Sequence, residues 1–318
     1  MKIIGHRGCI YKVENTIESF EEAFNLGADG IEVDVQKTND GYIVVSHDSN
    51  LRRITGEDFD IRKNRVEEVM KKRVQGEKIP LLEEVLELVK NKGKFIDIEI
   101  KNRDDLEDTI RIAKKINYGD LIVSSFFHDI IFIGKKSFPE IKFAYLYSHF
   151  PRDLEIYIKE VDFLKPNIDF VNYEYKKFSS VTIPWVVNEK EKAEFLKDLN
   201  VFAIITDFVD KVIGFIKGEE HYSKNLFELL KSSILKEESE FKENIIKIVL
   251  RNKFSPVYIN FFELKNGEIE VKPMPPFQWN VGEKMIVSIS NFKKDSVLKI
   301  NIREIGDINI DIINLLKV

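Results

Sequence analysis

Over the first two thirds of the chain, short apolar runs alternate with segments whose apolar residues recur at helical spacing. The runs fall at 2–6, from 30 through Asp34, and at 42–46, 95–101, 121–126, 141–147, 169–173, 182–187 and 202–206. Helical spacing marks 16–26, the stretch after Ile79-Pro80, and 104–116, 128–137, 153–164 and 189–199. Such alternation predicts a parallel sheet with helices outside it. Asp40-Gly41 is too short for a parallel crossover, so 42–46 is set aside as the antiparallel arm of a hairpin. Eight parallel strands remain, which predicts an α/β fold: a (β/α)8 TIM barrel over 1–217. Residues 49–78 are polar and poorly periodic, and predict a short insertion after the hairpin with one helix near 66–72.

The pattern changes beyond Lys217-Gly218. Residues 222–250 read as helical, broken near 236–239. Asn266-Gly267 then predicts a hairpin between 257–264 and 268–271. After Pro273, Pro275 and Pro276, strands are expected near 285–290, 297–302 and 308–313. This predicts a small C-terminal α+β domain over 218–318, a candidate for dimerisation, for recruiting a partner or for shading the barrel mouth. There is no internal repeat.

The hairpin holds the first candidate chemistry. Glu32 and Asp34 are two apart on a strand and leave the same face. With Asp40-Gly41 as a two-residue turn, His47 falls opposite Asp34. Two crowded carboxylates need a proton or a cation, which suggests a metal site with an acid or base beside it. Active sites of (β/α)8 enzymes lie at the C-terminal ends of the strands. His6 and Arg7 end the first strand, Glu99 and Lys101 end the 95–101 strand, and His47 returns to the same rim. Singly, each has an ordinary reading: Glu99 with Lys101 as an ion pair, Asn15 as a helix cap, Arg7 as loop chemistry. Their shared location is what points to a site. His128 and His149 follow strands ending at that rim, and Trp185 lies on a late strand. His128 and Trp185 are candidates to line a pocket, with a surface position and core packing as their ordinary alternatives. His221 lies outside the barrel.

Composition narrows the function. With 54 acidic against 49 basic residues and a net charge of −5, the chain lacks the basic excess of a nucleic-acid binder. The single cysteine, Cys9, excludes an intramolecular disulfide framework. No apolar run is long enough for a transmembrane helix. A first strand starting by Ile3 leaves no room for a signal peptide, so a cytoplasmic location is expected.

The chain resembles the glycerophosphodiester phosphodiesterase family, within the phospholipase-C-like phosphodiesterase superfamily. The matching text is His6-Arg7-Gly8, Glu14-Asn15-Thr16, Ala28 through Val35, Thr38 with Asp40-Gly41, Val45-Ser46-His47-Asp48, Leu51 through Gly56, Ile79 through Val85 and Ile98-Glu99-Ile100-Lys101. Ser124-Ser125-Phe126 and Trp185-Val186-Val187-Asn188 are weaker echoes. The family usually has a proline before Glu-Asn-Thr, where this chain has Val13. The resemblance implies a barrel binding one divalent cation through Glu32, Asp34 and Glu99. It implies His6 and His47 as the acid–base pair, with Arg7, Asn15 and Lys101 contacting phosphate or completing the metal shell. It implies hydrolysis of glycerophosphodiesters to sn-glycerol phosphate and an alcohol. Carboxylate-rich coordination suits Mg²⁺ or Ca²⁺. The alternatives are a lysophospholipase D-type phosphodiesterase and a non-catalytic binder of phosphodiesters or lipid headgroups. The short insertion at 49–78 implies an open site.

Overall fold

The computed structural model describes residues 1–218 and, beyond them, the strands β11–β18 named below. The chain forms two compact units, Met1–Asn50 with Asp60–Tyr222, and Leu51–Phe59 with Ser223–Val318.

In chain order the first part runs β1 (Lys2–His6), α1 (Ile17–Asn25), β2 (Gly30–Lys37), β3 (Ile43–Val45), α2 (Arg52–Thr55), α3 (Val66–Val69), β4 (Arg73–Val74), β5 (Glu77–Lys78), α4 (Leu82–Lys92) and β6 (Phe95–Ile100). It continues with α5 (Leu106–Ile116), β7 (Leu121–Ser125), α6 (His128–Ser137), β8 (Lys142–Tyr147), α7 (Leu154–Glu160), β9 (Phe163–Pro166), α8 (Lys190–Leu199), β10 (Ala203–Thr206) and α9 (Val209–Lys217). Seven parallel strands lie in the order β10-β1-β2-β6-β7-β8-β9, and β3 pairs antiparallel with β2. The helices begin and end where local chemistry allows. Thr16 caps α1 by accepting from the Ser19 amide, and Gly93 ends α4 in the left-handed region.

Strand alternation sorts the interior into levels. Ile4, Phe95, Ile122, Ala144, Ile183, Ala203 and Ile205 form one buried apolar cluster. Two residues further along their strands, toward the C-terminal ends, stand His6, Asp97, Ser124 and Asp207. An apolar floor thus lies beneath a polar level, which places the chemistry at the C-terminal ends of the strands.

The first unit departs from the expected strands at two places. The stretch 163–166 is β9, where a helix through 164 was expected, and 168–170 is a 3₁₀ turn where a strand was expected. A buried lysine, Lys165, and Pro166 interrupt the apolar run and hide the strand. The stretch 182–187 forms parallel bridges rather than a continuous ladder, Pro184 having no amide to donate. It nonetheless bonds to both edges of the sheet. Ile183 N donates to Leu164 O at 2.8 Å and Trp185 N to Pro166 O at 3.1 Å. On the other side Ile205 N donates to Pro184 O at 2.9 Å and Val187 N to Ile205 O at 2.8 Å.

The hairpin register is one residue off the expectation. Val35 pairs with Val45 and Lys37 with Ile43, so Asp34 faces Ser46, not His47. The loop spans 38–42 because Thr38 closes it twice: its amide donates to Tyr42 O, and its hydroxyl accepts from Tyr42 N. The insertion also holds more than one helix, since α2, a 3₁₀ turn at Ile61–Lys63 and the β4–β5 ribbon accompany α3. Arg62 ties it to the start of α5, with guanidinium nitrogens 2.8 Å from Asp105 and 2.7 Å from Asp104. No helix among the described residues is long and apolar enough to cross a membrane.

Beyond residue 233 the described elements are all strands: β11 (Ile234–Lys242), β12 (Ile245–Asn252), β13 (Val257–Lys265), β14 (Glu268–Lys272), β15 (Phe277–Trp279), β16 (Lys284–Ser290), β17 (Val297–Ile302) and β18 (Gly306–Asp311). They form two antiparallel sheets, β11-β12-β16-β14 and β15-β13-β17-β18. The helices expected over 222–250 are therefore strands from 234 onward, and 222–233 lies outside the described residues. Strand pairing overrides the helical preference of a Lys- and Glu-rich segment there. The pairing expected between 257–264 and 268–271 is replaced, because β13 and β14 join different sheets; the turn residues 266–267 lie outside the described residues. Buried Val271 of β14 pairs instead with buried Val287 of β16.

Candidate active site

Strands β2 and β6 set the centre of the site. Their register places Glu32 beside Asp97 and Asp34 beside Glu99. Carboxylate oxygens of Glu32, Asp34 and Glu99 lie within 4.8 Å of one another, and all three residues are buried. Burial, then the charge of Asp34, push the Glu32 carboxyl well above the ordinary carboxylate range. Burial also pushes Asp34 up, but Arg7, Lys101, His47 and the Asn15 hydrogen bond outweigh it and hold Asp34 low. One strongly acidic and one weakly acidic carboxyl side by side is the response of two crowded buried carboxylates.

The basic residues close around these carboxylates. Arg7 Nε lies 3.1 Å from Asp34 Oδ2, and the Arg7 amide donates to Glu32 Oε2 at 3.2 Å. Lys101 Nζ lies 2.8 Å from Glu99 Oε1 and 3.4 Å from Asp34 Oδ1. Asn15 does not cap α1, a task that falls to Thr16; its Nδ2 donates to Asp34 Oδ2 at 3.0 Å. Arg7 and Asn15 hold left-handed φ values of 51° and 58°, a strained conformation for residues with side chains, and Asn15 N donates to Arg7 O.

The donor set fits a hard divalent cation. Three carboxylates converge, and buried Asp34 Oδ1 accepts no hydrogen bond. All-oxygen ligands are those such a cation prefers.

His6 and His47 each have a carboxylate on Nδ1. His6 Nδ1 lies 2.7 Å from Asp207 Oδ1, while its Nε2 is 4.0 Å from Glu32 Oε2. Asn188 Nδ2 donates to Asp207 Oδ2 at 2.7 Å, and Asn188 Oδ1 accepts from Thr206 Oγ1 and Asp207 N. Burial pushes Asp207 up, but the His6 charge and hydrogen bond with Asn188 hold it below the ordinary range. His47 Nδ1 lies 2.7 Å from Asp48 Oδ1, and its carbonyl accepts from Gln36 Nε2. Despite the shifted register, His47 stays near enough that its charge acts on Asp34.

The structure thus brings together His6, Arg7, Asn15, Glu32, Asp34, His47, Glu99 and Lys101. Trp185 is half-buried against the apolar floor, its indole donating to Lys165 O at 2.9 Å and its ring meeting exposed Phe126 edge-on. His128 bonds to the Leu146 carbonyl at 2.9 Å and stacks on Tyr145, within a cluster that includes Tyr147 and Tyr157. None of these contacts brings it to the carboxylates. His149 is exposed, 3.3 Å from Tyr157 Oη. The sequence reading missed Asp207, Asn188 and Asp48 as functional residues. The available signal was positional: Asp207 directly follows the last strand, and Asp48 directly follows His47.

Comparison with known proteins agrees with this geometry. The profile of the glycerophosphoryl diester phosphodiesterase family matches residues 6–211. A glycerophosphodiester phosphodiesterase of Caldanaerobacter subterraneus subsp. tengcongensis is 34% identical over 237 residues, covering 68% of this chain and 97% of that protein. One from Bacillus altitudinis is 32% identical, covering 67% and 96%. Among solved structures, a Thermotoga maritima glycerophosphodiester phosphodiesterase is 32% identical, with a TM-score of 0.58 and coverage of 67% and 97%. An Oleispira antarctica phosphodiesterase, solved with its product sn-glycerol-3-phosphate, shares the fold at 24% identity, with a TM-score of 0.64 and coverage of 68% and 97%. The chain belongs to the glycerophosphoryl diester phosphodiesterase family.

Proposed function

We propose that this chain is a metal-dependent phosphodiesterase that hydrolyses glycerophosphodiesters to sn-glycerol phosphate and an alcohol. The observation that supports this best is the pairing of two imidazoles, each with Nδ1 on a carboxylate, around one buried carboxylate triad. An Nδ1 bonded to a carboxylate fixes the tautomer and leaves Nε2 to exchange protons. One Nε2 takes the proton from the attacking hydroxyl, and the other returns a proton to the leaving alkoxide. Asp207 and Asp48 steady the imidazolium that each histidine passes through. Arg7 and Lys101 face the non-bridging phosphoryl oxygens, where charge accumulates as phosphorus is attacked.

Glu32, Asp34 and Glu99 are the residues that would hold the cation, with Mg²⁺ or Ca²⁺ the ions that best suit them. When bound, it supplies charge stabilisation at the phosphoryl oxygens and lowers the pKa of a coordinated hydroxyl. Its charge would also relieve the crowding that drives the protonation of Glu32 and Asp34 apart. The segment 182–187, bonded to both β9 and β10, serves in this reading as the eighth stave of a (β/α)8 barrel, with 1–217 as the catalytic domain.

Release of glycerol phosphate from glycerophosphocholine or glycerophosphoethanolamine, assayed with Mg²⁺ or Ca²⁺ present, tests the proposal. Turnover is expected with at least one of these ions. Absence of turnover with every substrate and ion would favour a non-catalytic binder.

A further inference from the structure

Four carboxylates point inward from two adjacent strands, yet only three gather. In the β2–β6 register Asp97 is the direct neighbour of Glu32, as Glu99 is of Asp34. Asp97 nonetheless stands apart from the cluster of Glu32, Asp34 and Glu99. Its carboxylate turns to Lys165 on β9, with Lys165 Nζ 2.5 Å from Asp97 Oδ2. Ser124 on β7 links the two: its hydroxyl donates to Asp97 Oδ1 at 2.8 Å and accepts from Lys165 Nζ at 2.8 Å. All three side chains are buried, and Lys165 is only 1% exposed.

Stability gives a poor reason for this arrangement. Lysine is almost never buried so fully. A buried ion pair seldom stabilises more than apolar residues of the same volume, because both charges lose their water. The proton transfers described above do not use the pair either. Its position is informative: Asp97 stands level with Glu32 and one step below Asp34 and Glu99, so its carboxylate and the Lys165 ammonium lie directly beside the triad.

We propose that Lys165 is a positioning residue for the cation site. By taking the Asp97 carboxylate, it keeps a fourth acidic ligand out of the shell and confines the cation to Glu32, Asp34 and Glu99. Without Lys165, Asp97 would join Glu32 as a second acidic pair beside the triad, drawing the cation below Asp34 and Glu99. This inference rests on the cation-site reading under Proposed function, and its test separates the two.

Mn²⁺ binding to the full-length protein is measured by calorimetry at one neutral pH, with thermal melts alongside. Lys165→Met leaves an uncompensated carboxylate beside Glu32, and the Mn²⁺ Kd falls about tenfold or more. Asp97→Asn leaves an uncompensated ammonium there, and the Kd rises about tenfold or more. The double variant Asp97→Asn/Lys165→Met removes both charges and returns the Kd to within about threefold of wild type, because the two sites are coupled. If Lys165→Met fails to fold, the rise in Asp97→Asn and its reversal in the double variant remain the test. Kd values within about twofold of wild type in every variant, or shifts of one sign in both single variants, would overturn the positioning role and leave the cation site standing. A wild-type protein that binds no Mn²⁺ would overturn the cation site, and the positioning role with it.

Discussion

His6 and Asp207, 201 positions apart in sequence, meet at 2.7 Å because β1 and β10 run side by side. Gly5 pairs with Thr206 in that register, so the next residues, His6 and Asp207, emerge together at the rim. Asn188 completes the set by holding both the Asp207 carboxylate and its amide. The sheet order thus builds a histidine–aspartate pair that no local sequence pattern contains.

Removing the partner carboxylate has a defined cost. Outer-shell groups that orient a reactive imidazole contribute about 10- to 100-fold. Asp207→Ala is expected to lower kcat by that amount with KM little changed, and Asn188→Ala by less. Steady-state kinetics on glycerophosphocholine checks both variants.

The two imidazoles are expected to matter more than their partners. Loss of a general acid or base costs about 10²- to 10⁴-fold. His6→Ala and His47→Ala should each reduce kcat within that range while still binding a divalent cation. A histidine variant with wild-type kcat would remove that residue from the mechanism.

The raised Glu32 carboxyl predicts a pH-dependent response to metal. In the metal-free protein Glu32 keeps its proton above the pH at which the unfolded chain releases it. The folded state then binds more protons, so the contribution of this group to stability falls as pH rises from the carboxylate range through the raised value. A divalent cation must displace the proton, so its affinity rises with pH over the same window. Differential scanning fluorimetry should show a rise in Tm with Mg²⁺ or Mn²⁺ that grows from acidic toward neutral pH. An equal rise at every pH would contradict this assignment of Glu32.

Arg62 gives a prediction about stability alone. Its guanidinium satisfies Asp105, which is fully buried at the start of α5. Arg62→Ala should cost about 1–3 kcal/mol, because both oxygens of the buried carboxylate lose their close guanidinium donor. Arg62→Ala/Asp105→Asn should recover part of the loss in a denaturant melt.

Much of this site can be read from the sequence because its residues sit where strand period and strand ends dictate. Glu32 with Asp34, and Glu99 with Lys101, are two apart on strands, so their shared faces follow from geometry. The hairpin register was not legible, because Thr38 closes a five-residue loop that Asp40-Gly41 alone does not reveal. Asp207 and Asn188 gain their roles only through the pairing of β1 with β10, a long-range contact. Lys165 concealed β9 because a buried lysine breaks the apolar pattern by which strands are recognised. The Lys- and Glu-rich stretch from 234 favours helix locally, and only the pairing of β11 with β12, and of β12 with β16, makes it strand.

The central claim is that Glu32, Asp34 and Glu99 share one cation beside His6 and His47. Anomalous diffraction from crystals grown with Mn²⁺, a stand-in for Mg²⁺ at oxygen sites, tests it most directly. A single peak among the Glu32, Asp34 and Glu99 carboxylates is the predicted result. A peak elsewhere, or none at saturating Mn²⁺, would contradict it.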